Sequence, residues 1–174
     1  MFLKNYKKVI SSMFYITNDV YDIEVIGTGG ERYTDYTVGT NQQIASLLGF
    51  GQSDYYANSA SSAFGVMFGD GDKEVSEDDY CLSGNVIGNL GFAKTQKVER
   101  FDDKTVKTIV YTLINNNTEA VTIKEMGYVG CVDTASGSTT TYKPIMLDRT
   151  LLEKPVTIEP SEVGQITYVV TLNY

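Results

Sequence analysis

Lys104-Thr105-Val106-Lys107-Thr108-Ile109-Val110-Tyr111-Thr112-Leu113-Ile114 is the stretch that decides the fold. Ile109, Tyr111 and Leu113 recur at a period of two, and Val106, Val110 and Ile114 occupy the opposite side. That period belongs to a strand, and apolar residues on both faces mark a strand inside a sheet. Downstream, Asn115-Asn116-Asn117 reads as a turn, because Asn tolerates positive φ, and residues 121–129 read as the returning arm of a hairpin. Residues 131–141, rich in Ser, Thr and Gly, read as a surface loop, and residues 144–152 and 156–158 as two further strands. After a turn at residues 160–164, Ile166, Tyr168, Val170 and Leu172 alternate with mostly polar neighbours, as in a strand with one face on the core. Upstream, residues 18–26 place Tyr21, Ile23 and Val25 on one face, and residues 64–68 form a short strand. The expected fold class is all-β, an antiparallel sandwich or jelly roll of about seven or eight strands.

Two helices are expected beside the strands. Phe2, Leu3, Tyr6, Val9, Ile10, Met13 and Phe14 fall on one helical stripe, with Lys4, Lys7, Lys8, Ser11 and Ser12 opposite. This amphipathic helix either packs on the domain's own sheet or docks on a neighbouring subunit. Its seven apolar residues are the candidate partner-binding set, and the chain divides into a docking helix, residues 1–16, and a sandwich domain, residues 17–174. Residues 42–48 suggest a short second helix closed by Gly49 or Gly51. The basic, apolar start loosely imitates a signal peptide. Its apolar part is short and broken by serines, so it reads as mature protein.

Composition removes several functions. Lys plus Arg is 14 and Asp plus Glu is 22 over 174 residues, so the net charge is −8. That balance opposes general nucleic-acid binding, which needs a basic footprint. The chain has no His, which excludes a Ser–His–Asp site, a His-ligated zinc and a histidine proton shuttle. No apolar stretch approaches the roughly 18 residues needed to cross a membrane. Cys81 and Cys131 match no metal or redox spacing and read as two reduced thiols. Asn116-Asn117-Thr118 is a glycosylation sequon, relevant only in a secretory pathway.

Gly69-Asp70-Gly71-Asp72-Lys73-Glu74-Val75-Ser76-Glu77-Asp78-Asp79 holds six acids and one lysine. Hard cations take several carboxylate oxygens from a flexible loop, so Asp70, Asp72 and Glu74 are weak candidate metal ligands. The EF-hand spacing fails, and a solvated acidic loop is the plainer expectation. Tyr33, Tyr36, Tyr55, Tyr56 and Tyr80 offer rigid amphipathic contact area suited to a recognition face. Gly27-Thr28-Gly29-Gly30 lacks the spacing of a dinucleotide loop. Two pairs of opposite charge, Asp148-Arg149 and Lys124-Glu125, lie inside apolar strands. They are expected either at a subunit contact or as a partly buried ion pair within the monomer.

Three segments, taken in order, carry a resemblance. They are Phe64-Gly65-Val66-Met67-Phe68-Gly69-Asp70-Gly71-Asp72 leading to Glu77-Asp78-Asp79-Tyr80-Cys81-Leu82; Ile109-Val110-Tyr111-Thr112-Leu113-Ile114-Asn115-Asn116 followed by Val121-Thr122-Ile123-Lys124-Glu125-Met126-Gly127-Tyr128; and Met146-Leu147-Asp148-Arg149-Thr150-Leu151-Leu152 followed by Pro155-Val156-Thr157-Ile158-Glu159-Pro160 and Gln165-Ile166-Thr167-Tyr168-Val169-Val170. The set resembles small virion proteins of tailed bacteriophages, the head-fibre, tail or collar components with a β-sandwich body. It covers about residues 64–172, and Lys73-Glu74-Val75 replaces a stretch expected to be proline-rich. The resemblance implies a structural, non-enzymatic virion component, made in the host bacterial cytoplasm. It would act by protein–protein assembly in the tail, the neck or collar, or in association with the capsid. Its partners would be copies of itself, as a ring or trimer, and other virion proteins, without nucleic acid, membrane or cofactor. Two other readings stand beside it, a carbohydrate-binding module for host-surface attachment and a capsid decoration protein. A glycosidase using two carboxylates ranks below both.

Overall fold

The computed structural model describes residues 3–5, 24–34, 65–136 and 139–173. Strands dominate them: β1 (Val25–Ile26), β2 (Arg32–Tyr33), β3 (Gly65–Gly69), β4 (Leu90–Arg100), β5 (Lys104–Asn115), β6 (Val121–Ser136), β7 (Thr139–Ile158) and β8 (Val163–Asn173). β1 and β2 make a small ladder, and the other six form two three-stranded sheets, β3-β6-β7 and β4-β5-β8. All strand pairings are antiparallel. The all-β expectation holds. Residues 42–48, and residues 6–14 of the expected N-terminal helix, lie outside the described residues.

The main core lies between the two sheets. Val66, Phe68, Ile123, Met126 and Ile158 come from one sheet, and Leu90, Ile109, Tyr111, Leu113 and Ile166 from the other. The Tyr111 ring meets Phe68 edge-on at 5.8 Å and Phe92 at 5.6 Å. Each fully buried aliphatic or aromatic side chain stabilises the fold by about 1.5–3 kcal/mol, so this interface dominates the packing energy. β5 is the central strand of its sheet, as its doubly apolar pattern predicts. Its Ile109, Tyr111 and Leu113 are buried, while Val110 and Thr112 are only partly covered and Ile114 is exposed.

The sheet β3-β6-β7 is covered on both faces. β3 is buried along its whole length. On the side away from the main core, Leu3, Met67, Leu82, Val129 and Met146 form a second apolar cluster with Val75 against it. A third cluster joins Val25, Tyr128, Val132, Ile145 and Leu147, with Tyr33 packed on it. The molecule therefore has a layer beyond the sandwich, made from Leu3 and residues 70–85.

Two sequence expectations fail here. β5 and β6 do not form a hairpin, since β5 pairs with β4 and β8 while β6 pairs with β3 and β7. Asn115-Asn116-Asn117 is instead a corner that carries the chain between sheets. The Asn115 side chain donates to the Glu119 and Ile158 carbonyls at 2.8 and 2.9 Å. Its backbone N–H donates to Glu162 O, and its carbonyl accepts from Ser161 N–H, which ties the corner to the β7–β8 turn. Of residues 131–141, expected as a loop, 131–136 extend β6 and 139–141 extend β7, with Cys131 opposite Pro144 and Ser136 opposite Thr139. Thr is β-branched and suits a strand, so a polar, Thr-rich arm is easily misread as loop.

The break expected between residues 152 and 156 is real but does not end the strand. Four residues of β7, residues 152–155, face the single residue Lys124 of β6. Pro155 lies in this bulge, where its missing N–H costs no ladder bond. A second irregularity leaves Leu147 as the extra residue between Asp148 and Met146. Its carbonyl accepts the Leu3 N–H at 3.0 Å.

Candidate functional site

The covering layer is built on one arginine. Antiparallel register sets Arg149 of β7 opposite Gly127 of β6, with Glu125 opposite Leu151. Arg149 and Glu125 are thus diagonal neighbours on one face, and Gly127 leaves the space between them free of a side chain. The Arg149 Nε donates to Glu125 Oε2 at 2.6 Å, with both side chains fully buried. Its Nη1 donates to Asp79 Oδ2 at 2.6 Å and to Glu74 O at 3.4 Å. Its Nη2 donates to Lys73 O at 2.6 Å. One planar guanidinium thereby holds the acidic run by two backbone carbonyls and one carboxylate, a fork geometry that Lys cannot reproduce.

Glu125 completes the staple. It accepts from Ser83 N–H at 3.1 Å, Ser83 Oγ at 3.2 Å and Gly84 N–H at 2.8 Å. Burial pushes the Glu125 carboxyl up, but the Gly84 amide, the Arg149 guanidinium and the Ser83 amide outweigh it and hold the group below its ordinary value. A second clasp lies beside it. Asp70 accepts from Asn85 N–H at 2.6 Å and from Asn85 Nδ2 at 3.3 Å, and these bonds draw its carboxyl below the usual value.

The acidic run is therefore a fastened cover whose Asp72, Glu74 and Asp78 side chains stay exposed to solvent. Asp70, Asp72 and Glu74 do not converge. Asp70 serves Asn85, Asp72 pairs with Lys124 at 3.2 Å, and Glu74 contributes its carbonyl to Arg149. Among the described residues, no group of three or more acids and cysteines is placed to hold a metal ion. The run spends its acids individually: Asp72 and Asp79 reach Lys124 and Arg149 of the sheet, Asp70 holds Asn85 and Asp78 pairs with Lys4.

Asp148 and Arg149 do not pair with each other, since adjacent strand residues point to opposite faces. The ion pair within the monomer exists, but its acids are Glu125 and Asp79. Asp148 faces the other sheet, where it accepts from Tyr168 Oη at 2.5 Å and from Thr150 Oγ1 at 3.0 Å. Burial and the neighbouring carboxylate push the Tyr168 phenol far above its ordinary range.

The N-terminal docking set is corrected at the one position described. Leu3 is fully buried in its own chain against Met67, Leu82, Val129 and Met146, so its side chain is not offered to a partner. Its neighbours reinforce the attachment. Lys4 N–H donates to Glu77 O, and the Asn5 side chain bonds both the N–H and the carbonyl of Ile26 at 3.0 and 2.7 Å. Phe2, Tyr6, Val9, Ile10, Met13 and Phe14 lie outside the described residues, as do Tyr36, Tyr55 and Tyr56. Of the other tyrosines, Tyr33 packs on the third cluster beneath Lys143, whose Nζ is 5.9 Å from the ring centroid, and Tyr80 is exposed. Cys81 is a free thiol, raised above its ordinary pKa by burial and by Asp79. No helix among the described residues is long and apolar enough to cross a membrane.

The lowered Glu125 pKa sets an acid limit on stability. A depressed carboxyl contributes fully above its unfolded value of about 4.3, and that contribution disappears as pH falls through the folded value. The melting temperature is expected to hold from pH 7 to about 5 as far as this group is concerned, then to fall below about pH 4. Melting curves across that range, compared with E125Q, check it. A native acid limb no steeper than that of the variant would disprove the assignment.

Comparison with family models, with curated proteins and with solved structures finds no match to this chain.

Proposed function

We propose that this chain is a structural component of a tailed-bacteriophage virion, in the tail, the neck or collar, or on the capsid, and that it works by protein–protein assembly without catalysis. One observation carries the reading. The three segments that resemble virion components meet in space through their charged residues. Asp79 of the first, Glu125 of the second and Arg149 of the third form one buried network across 70 and 24 residues of chain. That these motifs meet in one fold supports reading them as a set. The resemblance covers about residues 64–172, and a virion subunit is what it implies. The deeply buried charges of this network are engaged in holding the cover, which suits a part whose work is mechanical.

Mass spectrometry of purified phage particles tests the proposal. Tryptic cleavage after Lys107 and Lys124 releases residues 108–124, a convenient marker peptide. The expected result is this peptide at a fixed ratio to the major capsid protein, retained through density-gradient purification. A chain abundant in the lysate but absent from the particles would overturn the proposal.

A further inference from the structure

The sheet edges differ in how they are closed. Backbone N–H and C=O groups along an open edge are a template for another strand, and proteins ordinarily blunt such edges with charges, bulges or covering loops. β3 is covered by residues 85–87, through Ile87 N–H to Phe68 O and the bridge from Gly69 to Val86. β7 is met by Gly27, which bridges to Ile145, by Thr28 N–H on Pro144 O and by Leu3 N–H on Leu147 O. β4 carries Lys94, Lys97, Glu99 and Arg100, with Lys94 on the inward face beside Tyr111 and Ile166 in the sheet register. An inward-pointing lysine on an edge strand is a strong block to pairing.

Among the described residues β8 has none of these devices. Its sequence, Val163-Gly164-Gln165-Ile166-Thr167-Tyr168-Val169-Val170-Thr171-Leu172-Asn173, contains no charged residue and no proline. Among the described residues it pairs with β5 on one side and with no strand on the other. It also carries the two most exposed large apolar side chains among the described residues, Val163 at 60% and Val169 at 53%.

We infer that the free edge of β8 pairs antiparallel with β8 of a second copy, joining two β4-β5-β8 sheets into one six-stranded sheet about a two-fold axis. The strand is self-complementary in that arrangement. With Thr167 on the axis, Tyr168 faces Ile166 of the other copy, Gly164 faces Val170, and Val163 faces Thr171. Aromatic–β-branched and Val–Thr pairs of this kind favour strand pairing, and no like charges meet. In a body of net charge −8, β8 brings no charge of its own to meet a copy. The assembly is closed because the new sheet ends on both sides at β4, whose charges stop further addition. In this register residues 163–171 face one another, a nine-residue pairing that supplies roughly eight to ten backbone hydrogen bonds. The inference rests on strand chemistry and topology, and it stands or falls separately from the virion reading.

Light scattering on the size-exclusion eluate of the full chain tests it. The expected mass is twice the 19.2 kDa of one chain. Replacing Thr167→Lys together with Val169→Lys places like charges across the axis at exposed positions. The dimer dissociation constant is expected to rise by about tenfold or more, with the circular dichroism spectrum unchanged. Thr95→Lys, on the outer face of β4, is expected to leave the dimer intact. Cross-linking covers the case in which the double variant fails to fold. Thr167→Cys is expected to give a disulfide-linked dimer on mild oxidation, since facing strand residues lie within disulfide reach, and Thr95→Cys is expected to give none. A native chain that is monomeric at every concentration, a dimer that survives the lysine pair in a folded variant, or cross-linking at position 95 instead of 167 would each overturn the pairing. None of those results touches the virion reading, which the particle peptides decide.

Discussion

Arg149→Ala is expected to destabilise the protein by about 3–5 kcal/mol, the cost of leaving a buried carboxylate without its counter-charge. The substitution removes the donors to Glu125 and Asp79 and to the carbonyls of Lys73 and Glu74. Glu125 has no exposed surface through which water could replace them. Because the lost bonds all run to residues 73–79 or to Glu125 beneath them, the cover should detach before the sandwich melts. Hydrogen exchange would then report early loss of protection around residues 73–85, while β5 and β6 remain protected. In thermal melts the loss corresponds to roughly 10–15 °C for a domain of this size. Arg149→Lys should fall between native and Ala, since an ammonium keeps the charge but not the planar fork. An R149A variant within about 1 kcal/mol of native would show that the staple contributes little.

Gly84→Ala should cost about 3 kcal/mol for a different reason, the close approach of two backbone segments. A Cβ on Gly84 would lie 2.3 Å from Gly71 N, 2.6 Å from Gly71 Cα and 2.3 Å from Asp70 Oδ1. Backbone atoms cannot swing aside as a flexible side chain does. Relief requires separating residues 70–71 from 84–85, which breaks the Asp70–Asn85 clasp and the Gly84 amide bond to Glu125. Gly91→Ala serves as the control, because its Cβ would meet side-chain atoms only, the nearest at 3.1 Å. Urea denaturation of the two variants decides the matter. Equal midpoints for Gly84→Ala and Gly91→Ala would sink the close-approach argument.

Both predictions concern features that the chain displays only faintly when read in one dimension. Arg149 and Glu125 are conspicuous as charges within apolar strands, and that signal correctly marks a buried ion pair. It does not identify the partners. Asp148 is adjacent to Arg149 in sequence yet points to the opposite face, while Asp79 lies 70 residues away and is in contact. The acidic run shows the same limit. Its composition suggests cations or solvent, whereas Asp72 and Asp79 are drawn to separate groups on the sheet below and Asp70 to Asn85 beside them. Gly71 and Gly84 are ordinary loop glycines until the cover is folded down and their backbones meet. Leu3 belongs to a stripe that suits docking and core packing equally, and burial against Met67 and Met146 assigns it to the core.

Side-chain alternation and β-branched content were enough to determine that the described chain is antiparallel β, that β5 is central and that Ile109, Tyr111 and Leu113 share one face, because a strand's period is a local property of the backbone; which face turns inward was decided by packing. Which strands became neighbours was decided only in three dimensions. An alternating strand specifies its buried face but not the partner on either edge, and that choice depends on packing between residues far apart in the chain. The corner at Asn115, the β3-β6-β7 pairing, the Arg149 staple and the place of β8 at the end of its sheet all follow from that choice.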